Sequence, residues 1–338
     1  MKQRGQSGFV LAVTLWVLAI VAMAAAFFAE RMQHTMRLAT QAQLRTQALL
    51  DMEGTRAEIL FRIATTPISL FGLGTTPQNA LALDDRAYLG QGDTEVRVQD
   101  NRGLLNLNAV SDDKLDRFLN VLGVQATRRA ALVDALRDYV DEDNLKHLNG
   151  AEAPEYATAG LPPPSNAKLI TPFEARAIFG WKDEKTLWQD NLLPRLAVTG
   201  SSFSINPNTA PWQVLATMNG MTPEAAQAIV QARQVAPIAN AGQIEALTGI
   251  VVSTDMFAPD AVTLPADSMR ITQQARGMGW GWQYNVSLTP VSDTAPWRID
   301  YFYRVELPST PHGKYLVHTL PERNTLPASG APGLFAGP

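Results

Sequence analysis

A group of carboxylates near the middle of the chain is the part of the sequence best suited to metal chemistry. Asp138, Asp141 and Asp143 crowd the end of a helical pattern, and Glu152 follows shortly after a glycine. Negative charge at a helix C-terminus opposes the helix dipole, so a cation would be stabilising here. Hard oxygen ligands suit Ca²⁺ better than zinc. These residues are therefore candidate calcium ligands, and the alternative is a solvated acidic loop.

Other chemistry is poorly represented in the sequence. There is no cysteine, which excludes disulfides, thiol nucleophiles and cysteine-based metal sites. The four histidines share no metal-ligand spacing, and the nearest to the acidic group, His147, is interpreted as a loop residue rather than a ligand. No nucleophile elbow, phosphate loop or dinucleotide fingerprint is present. We predict that the protein is not an enzyme.

The charge balance argues against a protein that works mainly by binding nucleic acid. The chain has 338 residues, of which 28 are Lys or Arg and 32 are Asp or Glu, for a formal net charge of -4. Proteins that bind nucleic acid usually carry an excess of basic residues, because phosphate neutralisation supplies their affinity. We therefore expect no nucleic-acid partner.

The rest of the chain must position the acidic group. Near the amino end of the chain lies an uncharged apolar segment. Residues 9–29 contain no charge, and Lys2 and Arg4 precede them. A helix of this length spans about 30 Å, the thickness of the hydrocarbon core of a bilayer. Basic residues before a span keep the amino end in the cytoplasm, which sends the remaining chain to the other side.

Three interpretations of this amino end stay open on the residues alone. A cleaved secretory signal would use the Ala-x-Ala site at residues 22–24, although the apolar segment is long for a signal. A plain membrane anchor needs no cleavage. A prepilin-type leader would be cut after Gly8, which leaves Phe9 as the first residue of a retained helix.

The helical pattern continues beyond the membrane segment. Residues 30–66 contain strong helix formers, no proline and one glycine, Gly54, and their apolar residues recur at helical spacing. Pro67 then ends the pattern. We predict one helix over residues 9–65 whose second half packs on its own domain.

The middle of the chain contains a weak internal repeat. The alternating residues 94–99 predict a strand. Two Asn-x-Asn turns, at Asn106-Leu107-Asn108 and Asn206-Pro207-Asn208, each lead into a helix, a glycine hairpin and a second helix, in the manner of a helix-hairpin-helix. We predict that the asparagine side chains cap the helix starts and hold the turns.

The sequence near the carboxyl end predicts a β-sheet. Residues 269–272, 283–289, 297–307 and 314–320 are rich in β-branched and aromatic residues separated by turn signals. We predict an antiparallel sheet with one face on a core formed with the long helix. Residues 321–338 show no periodicity and are predicted to be a disordered tail.

These features together resemble the K-type minor pseudopilins of the type II secretion system. The leader that ends in Gly8, the Phe9 that opens the helix, the missing glutamate at the fifth mature position (Val13) and both asparagine turns carry the resemblance. It implies an α+β fold, with a long N-terminal pilin-like helix packed on an antiparallel sheet and a large inserted helical domain. The implied divisions are a leader (1–8), a transmembrane half (9–29), an amphipathic half (30–66), a pilin-like head (67–104 and 266–320), an insertion (105–265) and the tail (321–338).

The resemblance also implies a function. The protein would be a single-pass inner-membrane protein with a periplasmic C-terminal domain, at the tip of the pseudopilus, and would help to initiate assembly and protein export. Prepilin peptidase would cleave after Gly8, and Phe9 would be N-methylated. The partners would be the I, J and H type minor pseudopilins. The family is reported to bind calcium, which supports the metal hypothesis. The alternative is a membrane-anchored, competence-type DNA-binding protein with helix-hairpin-helix motifs.

Overall fold

The computed structural model of the chain describes residues 7–200, 204–255, 259–307 and 316–322. Its helices are α1 (Ser7–Thr65), α2 (Asp112–Val121), α3 (Ala126–Val140), α4 (Ala153–Thr158), α5 (Lys185–Trp188), α6 (Leu192–Leu196), α7 (Trp212–Leu215), α8 (Pro223–Arg233) and α9 (Ala241–Thr248). Its strands are β1 (Ile68–Ser69), β2 (Gly72–Leu73), β3 (Asp84–Leu89), β4 (Thr94–Asp100), β5 (Leu105–Asn106), β6 (Ala197–Val198), β7 (Ser268–Ala275), β8 (Trp280–Leu288), β9 (Trp297–Glu306) and β10 (Val317–Thr319). Most of the predicted leader and tail lie outside the described residues.

The long helix α1 runs uninterrupted from Ser7 to Thr65, two residues earlier than the sequence predicts. Within the described residues, its last part packs on the protein, where Met52, Ile59 and Ile63 are buried. Upstream, apolar side chains such as Met32 and Met36 are 64% and 61% exposed. The prediction that the whole second half packs on its own domain is therefore wrong for its first turns, which extend beyond the head.

The sheet that receives α1 has the strand order β10-β3-β4-β7-β8-β9 in the described residues. Its neighbours are antiparallel except β10, which pairs parallel with β3. The prediction of an antiparallel sheet is corrected on this point, and the sheet is mixed. The sequence prediction also misses β3, because a register shift between Asp84 and Ala87 interrupts the alternation on which such a prediction depends.

One core lies between α1 and the sheet. Ile59 and Ile63 of the helix pack with Val96, Ile271 and Tyr284 of the central strands, all of them buried. Apolar burial of this kind is the main stabilising contribution to such an interface.

Beside this core, the loop between β3 and β4 also contacts the helix. The Gln91 amide donates to Thr55 Oγ1 at 2.9 Å, and a Cβ at Gly54 would overlap the Gln91 side chain. The glycine within the helix is thus the place where the loop approaches closely.

The chain leaves the sheet at Asp100 and returns to it at Ser268. The residues between these points form a second core of their own, which includes Phe118, Leu136, Trp181 and Ile229. The glycines of the two hairpins have positive φ, +86° at Gly123 and +72° at Gly220, so both hairpins use the left-handed conformation that glycine adopts easily.

The two asparagine turns make corresponding hydrogen bonds. Asn108 Nδ2 donates to Leu169 O (2.9 Å) and Thr199 O (3.0 Å), and its Oδ1 accepts from the Leu169 amide. Asn208 does the same with Ile238 O (2.9 Å), Thr263 O (3.1 Å) and the Ile238 amide. Each turn therefore fastens two loops that are distant in sequence.

The expectation that these asparagines also cap helix starts is wrong. The N-cap residues of α2 and α7 are Ser111 and Pro211, not asparagines. Neither helix start has a side-chain capping hydrogen bond. The side chains of Asn106 and Asn206 instead accept from the amides two residues on, which closes the turns.

Candidate metal centre

The acidic group gathers where α3 ends and the following loop folds back on it. Asp138 lies in the last turn of α3 and is fully buried, and Asp141 follows the helix. Asp134, one turn earlier on the same face, accepts from the Asn149 amide at 2.9 Å and so holds the returning loop against the helix.

The buried Asp138 carboxylate organises this loop. Its Oδ1 accepts from the His147 amide at 3.0 Å and lies 2.5 Å from His147 Nδ1. A Cβ at residue 150 would overlap Asp138 Oδ2, so only glycine lets the chain pass this close to the carboxylate. Gly150 then positions Glu152, which is 3% exposed, on the approach to the cluster.

The cluster holds carboxylate oxygens that lack hydrogen-bond partners. Asp138 Oδ2, Asp141 Oδ1 and both carboxylate oxygens of Glu152 are buried without one. An ionised carboxylate in that condition is costly, because burial removes its water and nothing replaces it. A hard cation would supply the missing interaction, since calcium takes six to eight oxygen ligands. The residues present therefore fit the ion that the sequence suggests.

Two residues differ from their predicted places. Asp143 is exposed, and its Oδ1 accepts from the Leu145 amide at 2.7 Å, which makes it a turn residue at the rim of the cluster. His147, interpreted from the sequence as a loop residue, brings a ring nitrogen within 4.8 Å of carboxylate oxygens of both Asp138 and Asp141. The structure therefore groups Asp138, Asp141 and His147, with Glu152 beside them.

The pKa values of the cluster follow from burial and mutual repulsion. Burial raises the pKa of Asp141, and the charges of Asp143 and Asp138 raise it further. Burial and the same neighbouring carboxylates raise the pKa of Glu152. The hydrogen bond to Asp138 raises the pKa of His147. Without a cation the site thus favours bound protons, which is the behaviour of crowded anionic ligands.

Sequence reasoning missed Asp134, and it noted the glycine before Glu152 without the close approach of Gly150 to Asp138. Asp134, Asp138 and Asp141 are spaced four and three residues apart, which places them on one helical face and could have been read from the sequence. The need for glycine at residue 150 depends on the folded loop, so no local signal marks it.

The predicted processing site lies at the start of α1. Gly8 is in the first turn of the helix, and Phe9 is 73% exposed. Among the described residues, α1 is the helix long and apolar enough to cross a membrane, with a mean hydropathy of 2.6 over its most apolar stretch. That stretch is not buried in the protein, which fits a membrane anchor.

Comparison with protein families gives two adjoining matches. Residues 98–201 and residues 205–262 each match a family model described as type II secretion system (T2SS), protein K. The first covers the acidic cluster and the first asparagine turn, and the second covers the second asparagine turn.

Named relatives are found in three bacteria. The chain is 30% identical over 260 residues to the type II secretion system protein K of Pseudomonas aeruginosa, covering 68% of this chain and 73% of the relative. It is 29% identical to that of Klebsiella pneumoniae, covering 68% and 74%. It is 28% identical to that of Pectobacterium carotovorum subsp. carotovorum, covering 68% and 75%.

A solved structure shares the fold. The chain aligns with a TM-score of 0.57 and 16% identity to a chain in the crystal structure of the GspK-GspI-GspJ complex from the enterotoxigenic Escherichia coli type 2 secretion system. The alignment covers 80% of this chain and 99% of the other. At this identity the likeness shows the fold, a long helix with a mixed sheet and further helices.

Proposed function

The chain belongs to the type II secretion system protein K family, the K-type minor pseudopilins, and we propose that it stands at the tip of the periplasmic pseudopilus as a non-enzymatic assembly component. The observation that carries this proposal is the helical region between Asp100 and Ser268, which has its own core beside the sheet. So large an addition would obstruct subunits stacked above it. In that position the protein would help to initiate assembly and export across the outer membrane.

The identity of residue 13 also supports a place at the tip of the pseudopilus. Counting from Phe9, the fifth residue is Val13, and it carries no carboxylate to compensate the amino terminus of an adjacent subunit. A subunit at the tip needs no such compensation toward a neighbour above it. A carboxylate in lipid is costly unless it is paired, so its absence is stabilising where no partner is present.

We expect gold labelling to place the protein at pseudopilus ends. The sequence contains no cysteine, so Val235→Cys, at a position 92% exposed on the helical region, gives a single reactive thiol. Maleimide–gold on purified pseudopili should appear at one end of each fibre, with the cysteine-free parent as the unlabelled control. Gold distributed along the fibre length would overturn the tip position.

The partners we propose are the other minor pseudopilins. The structural neighbour was solved in the GspK-GspI-GspJ complex, which supports the I and J types as partners, and the H type follows by analogy. The exposed apolar residues of α1 beyond the head, including Leu38 and Leu44, give these partners a helical surface to contact.

The membrane orientation and the processing are proposed from the amino end. Lys2 and Arg4 precede the apolar half of α1, so the positive-inside rule places the amino terminus in the cytoplasm and the sheet in the periplasm. Prepilin peptidase would cleave after Gly8 and leave Phe9 to be N-methylated.

Replacement of Gly8 should prevent this processing. Gly8→Leu places a bulky side chain at the scissile position, so we expect the mature chain to retain residues 1–8. Intact-mass spectrometry of the membrane fraction measures the difference, and Gly5→Leu, within the predicted leader, is the matched control that should still be cleaved. A parent chain whose mature form begins after Ala24 would show that a secretory signal peptidase acts instead.

We further propose that the acidic cluster binds calcium. Asp138, Asp141 and Glu152 would supply the carboxylate oxygens that lack partners, and Asp143 would add charge from the rim. The ion would neutralise the carboxylates where the loop meets the helix. In the fold, these residues would hold the loop of residues 143–152 against α3.

The DNA-binding alternative is not favoured. In the second repeat, Arg233 is the basic residue of α8, and its Nη1 donates to Pro207 O and Ala210 O. Burial lowers its pKa to about 10. A guanidinium engaged with main-chain carbonyls in this way is not presented to a phosphate backbone.

A further inference from the structure

We propose that Asn219, in the hairpin between α7 and α8, is a site of spontaneous deamidation, which converts its side-chain amide into a carboxylate. The sequence contains two Asn-Gly dipeptides, Asn149-Gly150 and Asn219-Gly220. Asparagine is chemically labile, and a following glycine favours the reaction because it has no Cβ to hinder attack by its backbone nitrogen. The structure holds the first dipeptide and leaves the second free. The inference depends neither on bound calcium nor on a place in a pseudopilus.

The reaction requires water and a free glycine amide. A base takes the proton of the Gly220 backbone N–H, and the nitrogen attacks Cγ of the Asn219 side chain. The C–N bond of the side-chain amide breaks, ammonia leaves, and a cyclic imide remains. Water then opens the imide at one of its two carbonyl carbons and gives aspartate or isoaspartate. The net change is the consumption of water and the release of ammonia, with no oxidation or reduction.

The glycine nitrogens of the two dipeptides differ in their hydrogen bonds. The Gly150 amide donates to His147 O at 3.1 Å. The Gly220 amide donates to no acceptor in the part of the chain that the structure describes, and the hairpin is closed one residue later, where the Met221 amide donates to Met218 O at 3.1 Å. Gly220 is exposed and has a φ of +72°. Its nitrogen is therefore available to attack, whereas that of Gly150 is engaged.

The two asparagine side chains differ in the same way. Asn149 Nδ2 donates to Asp134 Oδ2 at 3.0 Å, and the Asn149 backbone amide donates to the same oxygen at 2.9 Å. Asn219 is exposed, and its side chain forms no hydrogen bond with any residue that the structure describes. Ring closure requires the side chain to turn toward the next backbone nitrogen. Asn149 can do so only after the loop opens locally, and Asn219 needs no such opening.

The consequences of the new charge also differ between the two places. At residue 219 the carboxylate is exposed and keeps its hydration, so the added charge costs little. At residue 149 a carboxylate would replace the Nδ2 donor and repel Asp134, beside an already crowded acidic cluster. The hydrogen bonds to Asp134 therefore protect the loop of residues 143–152, while the second hairpin gains a negative charge as the protein ages.

Peptide mapping of the full-length protein in detergent measures both reactions in one sample. Incubation at mildly alkaline pH is followed by trypsin, which releases residues 147–168 and 196–233 as separate peptides, and a sample without incubation gives the background. Tandem mass spectrometry assigns the mass gain to each asparagine. We expect Asn219 to react at least ~10-fold faster than Asn149, since three hydrogen bonds must break to free Asn149 and Gly150. Equal rates, or faster conversion of Asn149, would overturn the proposal.

The same incubation in urea separates the effect of the fold from that of the local sequence. In the unfolded chain the two dipeptides should react at similar rates, because the hydrogen bonds that distinguish them are broken. If Asn219 stays faster by the same factor in urea, the flanking residues set the rate and the structural assignment is wrong.

Three variants test the protection directly. Asp134→Ala removes the oxygen that holds Asn149, so the rate at Asn149 should rise toward that at Asn219. Asp113→Ala, at an exposed residue of α2, changes the net charge equally and should leave both rates unchanged. Asn219→Gln should remove the fast signal from the 196–233 peptide, because its longer side chain would have to form a larger ring.

Circular dichroism melting accompanies each variant. An unchanged rate at Asn149 in a folded Asp134→Ala variant would show that these hydrogen bonds give no protection and would contradict the proposal. If Asp134→Ala does not fold, the comparison of the folded parent chain with the same chain in urea still decides.

Discussion

Calcium should stabilise the full-length protein by about 2.7 kcal/mol at a hundredfold excess over its dissociation constant, because an ion that binds only the folded state stabilises it by mass action. The oxygens without partners on Asp138, Asp141 and Glu152 are the source of this effect. Thermal unfolding with added calcium and with chelator measures it, and the midpoint should rise with free calcium.

Asp141→Asn combined with Glu152→Gln should abolish the calcium dependence. Both substitutions keep the shape of the side chain and remove its charge, so the metal-free protein should unfold no earlier than the parent with chelator. Asp113→Asn, at an exposed acidic residue in the first turn of α2, is the matched control and should retain the full calcium response. Equal midpoints with calcium and with chelator in the parent chain would mean that the cluster binds no calcium.

Zinc provides a second arm of the same experiment. A ring nitrogen of His147 is grouped with Asp138 and Asp141, and a nitrogen ligand beside carboxylates suits zinc as well. Four oxygens without partners against one nitrogen favour calcium, and His147 Nδ1 is already engaged with Asp138. Stabilisation by zinc at micromolar concentration, without any by calcium, would reassign the metal.

The long helix and the central strands could be predicted closely because their signals are local. An apolar run over residues 9–29, followed by an amphipathic stretch that also lacks proline, marks α1, and alternation at residues 94–99 marks β4. The parallel pairing of β10 could not be predicted, since strand order is decided by the path of the chain through space. The left-handed Asp85 interrupts β3 and hides it from a pattern search.

The candidate site could be predicted in part for the same physical reason. Crowded carboxylates at the end of α3 are visible in the sequence, but the full burial of Asp138 depends on a loop that closes over it. The partner of that carboxylate, His147, lies nine residues away, and its contact requires Gly150 to pass close to the helix. Asp143 is exposed, unlike the buried Asp138 and Glu152. No local sequence pattern predicts this difference in burial.

A buried carboxylate, that of Asp100, lies at the joint between the sheet and the helical region. It is fully buried and accepts four hydrogen bonds: from the amides of Arg102 (3.0 Å) and Ala266 (2.8 Å), from Asn206 Nδ2 (2.8 Å) and from Thr209 Oγ1 (2.8 Å). These donors belong to the segment that leaves the sheet, the segment that returns, and the second asparagine turn. Burial raises the pKa of Asp100, and the four donors oppose that rise by stabilising the charged form.

Asp100→Ala should therefore be among the most destabilising single substitutions outside the apolar cores. It leaves four donors without an acceptor, and each unsatisfied group costs roughly 1 kcal/mol or more, so we expect a loss of about 4 kcal/mol. Asp100→Asn should lower the free energy of unfolding by less, because its amide oxygen still accepts hydrogen bonds. Some loss remains, since its NH₂ group replaces an acceptor and faces a donor. Asp93→Ala, beside the same strand at a side chain 68% exposed, should change stability by no more than about 0.5 kcal/mol. Denaturant unfolding of the full-length protein gives these values. A loss for Asp100→Ala no larger than that for Asp93→Ala would mean that the joint is held by the surrounding apolar contacts alone.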